Sequence, residues 1–290
     1  LHWIIWFAVT GALCAQPSQE IVRHKTGDRY ETLVNFPAEA TAGPRDIHIF
    51  LPPGYASSQD RSGVIYFHDG EGVFGGLDKS RGVFVDADYA IDELLNENLI
   101  HPAILVAVTN TKRIAGGRSI DLVPRWTPTS PGRIDEYYSF LATRLKPYID
   151  SHFRTRPEAE STGVSGNSLG GLASFYLAYR HPETFGFAGC TSPSLWLMDS
   201  RLVGEVARDG KTKTATRFWL DAGERDSADI ETVTPRMVKV LAGKGWTEGD
   251  DLAFQLGYGH LHGRTAQRER MRNMLYFLLR KERPAVRAIA

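Results

Sequence analysis

The chain has 290 residues, 42% of them hydrophobic, so it can bury a large core, and extended disorder is excluded. Lysine plus arginine number 34, and aspartate plus glutamate also number 34, which gives a formal net charge of zero. A balanced charge without a basic or acidic block argues against nucleic acid and against an anionic membrane surface as partners.

A short apolar run occupies residues 4–15 and ends in Ala12-Leu13-Cys14-Ala15. It is too short to span a membrane and is typical of the apolar region and cleavage site of a secretory signal. We therefore predict a signal peptide at residues 1–15 and export to the periplasm or the exterior. A lipoprotein site is disfavoured because Leu13 is bulky where a small residue is expected; a buried N-terminal strand is the other alternative.

The first half of the chain alternates strand and helix patterns. Turn residues and apolar alternation predict an edge hairpin at 19–36 and a strand at 45–51. Short continuous apolar runs predict buried central strands at 64–67 and 103–108, and helical spacing predicts a helix at 86–95.

The second half continues in the same way, with no internal repeat and no linker. Helices are predicted at 134–153, 172–180, 232–241 and 264–279, and strands at 186–190, 217–220 and 251–256. Strands that alternate with helices indicate an α/β fold with a mostly parallel sheet covered by helices on both faces. We expect one domain over residues 16–290.

The pentapeptide Gly166-Asn167-Ser168-Leu169-Gly170 matches G-x-S-x-G at a predicted strand-to-helix turn. This context predicts a nucleophile elbow, in which Ser168 has a strained backbone and an exposed hydroxyl. A side chain at either glycine would collide with the neighbouring strand or helix. The following helix points N–H groups at the site, which favours a developing oxyanion. The alternative is an ordinary Gly/Ser turn.

A serine nucleophile needs a base and an orienting carboxylate, and in this arrangement the chain order is Ser, acid, His. Three carboxylates follow the predicted strand at 217–220. We select Asp226 as the acid, with Glu224 as the second candidate. Asp221 lies closer to the strand and is interpreted as structural.

The base is expected in the glycine-rich segment 257–263, between the last strand and the last helix. We select His260, with His262 as the second candidate. The two histidines could instead form a metal pair, but no third ligand of suitable spacing is nearby. They could also be solvated loop histidines.

Two backbone donors are needed for an oxyanion hole. We assign one to the N–H of Leu169 and the other to the N–H of Glu71, with Gly70 as its alternative. The same segment contains Gly70-x-Gly72-x-x-Gly75, a dinucleotide-binding pattern, but residues 75–79 do not begin a helix with an apolar face. No metal or organic cofactor is therefore expected.

Residues 109–132 form a long stretch rich in glycine, proline and arginine, directly after a predicted strand. Long loops at the carboxyl ends of parallel strands commonly bind ligands. We expect Arg118 and Trp126 to line a substrate pocket, with Trp196 on the opposite wall. Alternatively, Arg118 pairs with Asp121 and stiffens the loop, and both tryptophans pack in the core.

Several segments between about residues 45 and 280 match one known family. They are the following: Tyr66-Phe67-His68-Asp69-Gly70, Arg118-Ser119-Ile120-Asp121, Pro147-Tyr148-Ile149, the G-x-S-x-G pentapeptide with Gly171, His181-Pro182-Glu183-Thr184-Phe185-Gly186, Ser192-Pro193-Ser194-Leu195-Trp196, Gly223-Glu224-Arg225-Asp226 and Gly259-His260. With these segments the chain resembles the esterase family of α/β-hydrolases, which includes S-formylglutathione hydrolases, feruloyl and acetylxylan esterases, siderophore esterases and antigen 85 mycolyltransferases.

This resemblance implies an α/β-hydrolase fold, an acid three residues after a glycine, as at Asp226, and a histidine before the last helix, as at His260. Many relatives carry a tryptophan shortly after that histidine, where this chain has Arg264 and Thr265. The expected function is hydrolysis of a small-molecule or carbohydrate-linked ester, of the carbohydrate, feruloyl or siderophore type, through an acyl-enzyme. An antigen 85-type acyltransferase and a non-catalytic binding module are the alternatives.

Overall fold

The computed structural model describes residues 21–39, 41–77, 84–111, 113–227 and 229–282. Its strands are β1 (Val22–Thr26), β2 (Tyr30–Phe36), β3 (Arg45–Phe50), β4 (Gly63–His68), β5 (Ala103–Val108), β6 (Thr162–Asn167), β7 (Phe187–Thr191), β8 (Arg217–Arg225) and β9 (Leu252–Leu261). Its helices are α1 (Ala87–Asn96), α2 (Gly117–Leu122), α3 (Ile134–Phe140), α4 (Lys146–His152), α5 (Leu169–Arg180), α6 (Leu197–Arg208), α7 (Ile230–Gly243) and α8 (Arg264–Leu279).

The strands of the described residues form one sheet in the order β1-β2-β3-β5-β4-β6-β7-β8-β9. β1, β2 and β3 pair antiparallel, and β3 also runs antiparallel to β5. From β5 to β9 every neighbouring pair is parallel. This arrangement confirms the predicted mostly parallel α/β sheet.

Hydrophobic side chains pack against both faces of this sheet. Along β4, Val64 and Tyr66 belong to one core cluster, and Ile65 and Phe67 belong to another. The first cluster is completed by α3 and α5, and the second by α1 and α8. Because alternate strand residues face opposite sides, a strand covered on both faces must be apolar throughout, as β4 is.

The predicted helix at 134–153 contains a five-residue π-helical segment, Leu141–Leu145, between α3 and α4. Pro147 follows at the start of α4. Proline lacks an N–H and its ring clashes with the carbonyl four residues earlier, so a local change of helical pitch accommodates it.

Three further differences from the prediction concern the edge that carries the site. The stretch 109–132 contains α2, α6 was not predicted, and β8 and β9 are longer than expected. The last difference matters most, because β9 includes part of the segment 257–263 that was interpreted as a loop.

None of the described helices is both long and apolar enough to cross a membrane. The predicted signal peptide at 1–15 lies outside the described residues.

Candidate active site

Ser168 lies between β6 and α5 with φ 62° and ψ −117°, the strained elbow conformation that the sequence predicts. The flanking glycines are required by close backbone contacts. A Cβ on Gly166 would lie 2.7 Å from the carbonyl carbon of Gly170, and one on Gly171 would lie 2.8 Å from the oxygen of Thr191. Real Cβ atoms do not approach so closely, so the packing of α5 on the sheet depends on these glycines.

The segment after β7 holds the elbow on both sides. The N–H of Ser168 donates to the carbonyl of Thr191 at 3.0 Å, and the carbonyl of Ser168 accepts from the N–H of Ser194 at 3.0 Å. The two hydroxyl oxygens, Ser168 Oγ and Ser194 Oγ, lie 3.2 Å apart. Leu169 is the first residue of α5, so its N–H has no acceptor within the helix and is available to an oxyanion.

Asp226 contacts an imidazole, as expected for the acid. His262 Nδ1 lies 2.5 Å from Asp226 Oδ1, and Asp226 Oδ2 accepts from Ser192 Oγ at 2.6 Å and from the N–H of Gly223 at 3.0 Å. Burial raises the pKa of Asp226, but the hydrogen bonds from His262, Ser192 and Gly223 outweigh this effect and lower it to about 2. The carboxylate is therefore ionised at neutral pH. With Nδ1 on the carboxylate, Nε2 of His262 is the nitrogen left for proton transfer.

His260, the histidine preferred from the sequence, is engaged elsewhere. Arg270 Nη1 donates to His260 Nδ1 at 2.9 Å, and His260 Nε2 lies 2.7 Å from Glu269 Oε2. An imidazole whose Nδ1 accepts and whose Nε2 donates is neutral, with both nitrogens occupied. The structure therefore brings Asp226 together with His262 and not with His260.

A β-bulge explains the difference between the two histidines. Gly223 of β8 pairs with Gly257 of β9, and Arg225 pairs with Leu261, so β9 contains extra residues between the two pairs. Gly259 lies in this bulge with φ 71°, and its N–H donates to Glu224 Oε2 at 2.8 Å. Glu224, the second candidate acid, thus supports the bulge, and His262 follows the end of the strand.

A buried polar network that the sequence did not predict lies beneath Asp226. The side chains of Arg270 and Asp221 are 1% and 0% exposed, and Arg270 Nη2 lies 3.0 Å from Asp221 Oδ1. Asp221 also accepts from the N–H of Ser192 and from Trp219 Nε1, each at 2.9 Å. Asp221 is therefore a buried structural carboxylate. Arg270 belongs to the buried side of α8 beside Met271 and Met274. A cationic residue among apolar positions of a helix is the feature of the sequence that indicates a buried acidic partner.

The turn after β4 faces the elbow from the other side. Asp69 has φ 58°, and Gly70–Gly72 form a single 3₁₀ turn. The carboxylate of Glu71 accepts from the N–H of Asn110 at 2.7 Å. Burial raises the pKa of Glu71, and hydrogen bonds from its own N–H and from Asn110 oppose that rise. The N–H of Glu71 is the donor assigned to the oxyanion hole, and the N–H of Gly70 is the alternative donor.

Arg118 forms a forked ion pair with Asp69 in this turn. Its Nε lies 2.5 Å from Asp69 Oδ1 and its Nη2 lies 2.7 Å from Asp69 Oδ2. Burial raises the pKa of Asp69, but hydrogen bonding and charge from Arg118 outweigh this effect. The pKa of Asp69 is therefore below its usual value. The alternative pairing of Arg118 with Asp121 is wrong, because Asp121 Oδ2 accepts from Arg45 Nη2 at 2.8 Å in the core.

A cavity of about 380 Å³ lies beside the elbow. Its polar lining comprises His68, Asp69, Glu71, Asn110, Arg118, Asn167, Arg264 and Gln267. Trp126 packs partly buried against the core, and Trp196, 37% exposed, precedes α6. Neither tryptophan is among the described residues that line this cavity, so of the three predicted pocket residues Arg118 alone borders it.

Comparison with known proteins identifies proteins that are similar in sequence to this chain. The protein called "Uncharacterized protein YbbA" of Bacillus subtilis strain 168 is 23% identical over 257 residues, which are 85% of this chain and 97% of that protein. An endo-1,4-beta-xylanase/feruloyl esterase of Xylanibacter ruminicola is 27% identical over 168 residues, covering 57% of this chain and 22% of that protein.

Among solved structures, the enterobactin esterase FES of Shigella flexneri, determined in the presence of enterobactin, superposes with a TM-score of 0.67 at 18% identity. The match covers 88% of this chain and 60% of that one, so the chain spans somewhat over half of the length of that esterase. At this identity the likeness shows the fold. The family model for Esterase matches residues 38–267. This range includes the turn after β4, the elbow at Ser168, Asp226 and His262. The chain therefore belongs to the Esterase family, a family of carboxylic ester hydrolases.

Proposed function

We propose that the chain is a serine carboxylic-ester hydrolase with the triad Ser168, His262 and Asp226. Ser168 Oγ attacks the ester carbonyl while His262 Nε2 takes its proton, and the imidazolium then protonates the leaving alcohol. Water, deprotonated by the same nitrogen, attacks the acyl-enzyme, releases the carboxylic acid and restores the serine. Asp226 holds the ring and stabilises the imidazolium throughout.

One observation carries this proposal: the histidine–carboxylate pair and the strained serine are joined through a single short segment. Ser192 Oγ donates to Asp226. Ser194 contacts Ser168 through both backbone and hydroxyl. Because only one residue separates these two serines, the base and the nucleophile belong to one local unit, as a triad requires.

For the oxyanion we propose the N–H of Leu169 together with a second N–H from the turn at Glu71 or Gly70. Gly170 packs against this turn, since a Cβ there would lie 3.1 Å from Asp69 Oδ2. The beginning of α5 and the turn therefore flank one space. One backbone donor at the N-terminus of α5 and one from the turn favour the negative charge that develops in the tetrahedral intermediate.

The substrate we propose is a small ester with polar or anionic groups, of the siderophore or feruloyl type named for the relatives. The cavity beside the elbow supports this choice, because guanidinium and amide groups border it. Guanidinium groups favour carboxylates and other planar oxygen pairs. A polar cavity also admits water, which supports hydrolysis over transfer to an acceptor alcohol. A non-catalytic binding role would leave the strained serine and the histidine–carboxylate pair without use.

We also propose that the mature chain, residues 16–290, is one domain that is exported. The apolar segment ending at Ala15 supports export. Expression of residues 1–290, followed by N-terminal sequencing of the protein outside the cytoplasm, tests both the export and the cleavage position.

The central experiment uses wild type and Ser168→Ala on a panel of p-nitrophenyl, feruloyl and catecholate-siderophore esters. Ser168→Ala should fold normally and lose at least ~10³-fold in kcat, the scale of a removed triad member. A phosphonate inhibitor should label Ser168 in the wild type, as seen by peptide mass spectrometry. Near-wild-type turnover by Ser168→Ala would refute the serine mechanism, and transfer of the acyl group to an added alcohol in preference to water would indicate an acyltransferase.

A further inference from the structure

Ser192 connects two ion pairs that share no residue. Its Oγ donates to Asp226 Oδ2 at 2.6 Å and accepts from Arg270 Nη2 at 2.9 Å. A guanidinium has only donors, so the direction of this chain is fixed: Arg270 donates to Ser192, and Ser192 donates to Asp226. The other oxygen of Asp226 faces His262.

The backbone of Ser192 indicates that the hydroxyl is needed there. Its φ is 41°, in the left-handed region where glycine is favoured. If the turn required the conformation alone, glycine would satisfy it without strain. Serine adds only an oxygen, and that oxygen lies between Arg270 and Asp226, fully buried.

We propose that Ser192 and Arg270 are positioning residues that act on His262 through Asp226, fixing the carboxylate and drawing part of its negative charge away from the imidazole. This inference rests on the triad proposed above. A carboxylate that accepts several hydrogen bonds is a weaker base. Asp226 then stabilises the imidazolium form of His262 less strongly.

The charged groups around this link each have a polar partner. Asp221 neutralises Arg270, His260 accepts from Arg270 Nη1, and Glu269 lies on the far nitrogen of His260. Glu224 is held by the bulge at Gly259. Among the described residues, the hydroxyl of Ser192 therefore links the buried Arg270–Asp221 pair to Asp226, the proposed catalytic acid.

The test is the pH profile of kcat/KM for Ser192→Ala and Ser192→Gly on a chromogenic ester, with Thr234→Val as the matched control. Thr234 is a buried hydroxyl on α7 outside this network. Each Ser192 variant should lose about ten- to a hundredfold in kcat, the scale of one charge-assisted hydrogen bond, with little change in KM. The acid limb should move to higher pH by roughly half a unit to one unit, because Asp226 holds the imidazolium proton more strongly.

Arg270→Met should shift the acid limb in the same direction, and Arg270→Lys should restore part of the wild-type profile. If Arg270→Met does not fold, the two Ser192 variants still decide the question, since glycine suits the backbone at that position. An acid limb unchanged in both Ser192 variants would overturn the proposal while leaving the triad intact. Failure of the triad itself would appear separately, as full activity in His262→Ala or Asp226→Asn.

Discussion

His262 Nδ1 lies 2.5 Å from Asp226 Oδ1, whereas His260, two residues earlier, has Arg270 and Glu269 as its partners. The two histidines therefore differ in the property that a catalytic base requires. His262 has one nitrogen oriented by an ionised carboxylate and the other left for the proton of Ser168, while both nitrogens of His260 are occupied.

We predict that His262→Ala loses at least ~10³-fold in kcat and that His260→Ala keeps most of its turnover. His260→Ala should instead lower the melting temperature, because Arg270 Nη1 loses its acceptor in a buried place. Steady-state kinetics and thermal melts on the same preparations measure both effects. The opposite ranking, with His260→Ala inactive but well folded, would return the base to the residue first chosen from the sequence.

We predict an unequal effect for the two candidate acids as well. Asp226→Asn removes the charge that orients His262 and should lower kcat by about 10³–10⁴-fold, as loss of a triad carboxylate does. Glu224→Gln keeps an oxygen acceptor for the N–H of Gly259 and should change kcat by less than about threefold, since an amide oxygen can still accept that bond. Equal losses in the two variants would contradict the assignment of Asp226.

The sequence predicts the strands, the elbow and the acid because each depends on a short local pattern. The glycines around Ser168 identify it as the elbow residue. Asp226 is identified by its position in a turn, three residues after Gly223. His262 depends instead on the pairing of β9 with β8, where a bulge shifts the register between the Gly223–Gly257 pair and the Arg225–Leu261 pair. A glycine-rich stretch is compatible with a loop or a bulged strand, so spacing alone does not distinguish two histidines in it.

The ion-pair partner of Arg118 is also not predicted by local sequence patterns, because it lies far away in the chain. The sequence places it near Asp121, but α2 holds Asp121 against Arg45 in the core, and Arg118 meets Asp69, which is 49 residues earlier. Partners far apart in sequence are determined by which strands are neighbours. β4 and β5 are neighbours in the sheet, and the segments that follow them bring these two residues together.

We predict that Arg118→Ala lowers kcat for every ester in the panel, since its fork holds the turn that carries Gly70 and Glu71. Arg118→Lys should recover little, because an ammonium cannot form two parallel bonds to Asp69. If the guanidinium also contacts substrate, KM should rise further for anionic or catecholate esters than for neutral ones. Unchanged kcat with raised KM for anionic esters alone would assign Arg118 to substrate binding without a role in the turn.

Trp126 and Trp196 should respond differently to replacement by alanine. Trp126 packs against the core, so Trp126→Ala should lower the melting temperature by several degrees and reduce activity equally on all esters. Trp196 is 37% exposed next to the segment that contacts Ser168. Trp196→Ala should leave the melting temperature nearly unchanged and alter KM unequally among esters. A large stability loss in Trp196→Ala would place it in the scaffold.

The last prediction concerns stability in mild acid. His68 is buried at the end of β4, with Nδ1 3.0 Å from the hydroxyl of Tyr137. Among the described residues, its Nε2 has no hydrogen-bond partner. Burial lowers the pKa of His68 to about 4; the carboxylate of Asp69 opposes this shift, and Arg118 and Arg45 add to it. The unfolded chain, with an ordinary histidine pKa of about 6.5, therefore binds this proton more readily than the folded protein does.

The stability that His68 contributes is thus fully present above about pH 6.5 and is lost as the pH falls toward 4, by a total on the order of 3 kcal/mol. We predict that urea unfolding between pH 7.5 and 4.5 gives a clearly smaller decrease in the free energy of unfolding for His68→Gln than for wild type. Carboxylates titrate in the same range. The measured quantity is therefore the difference between wild type and His68→Gln in the slope of the free energy of unfolding against pH. His24→Gln, on the exposed edge strand β1, is the matched control and should retain the wild-type slope. Equal slopes for His68→Gln and wild type would mean that His68 gains its proton as readily in the folded protein as in the unfolded chain.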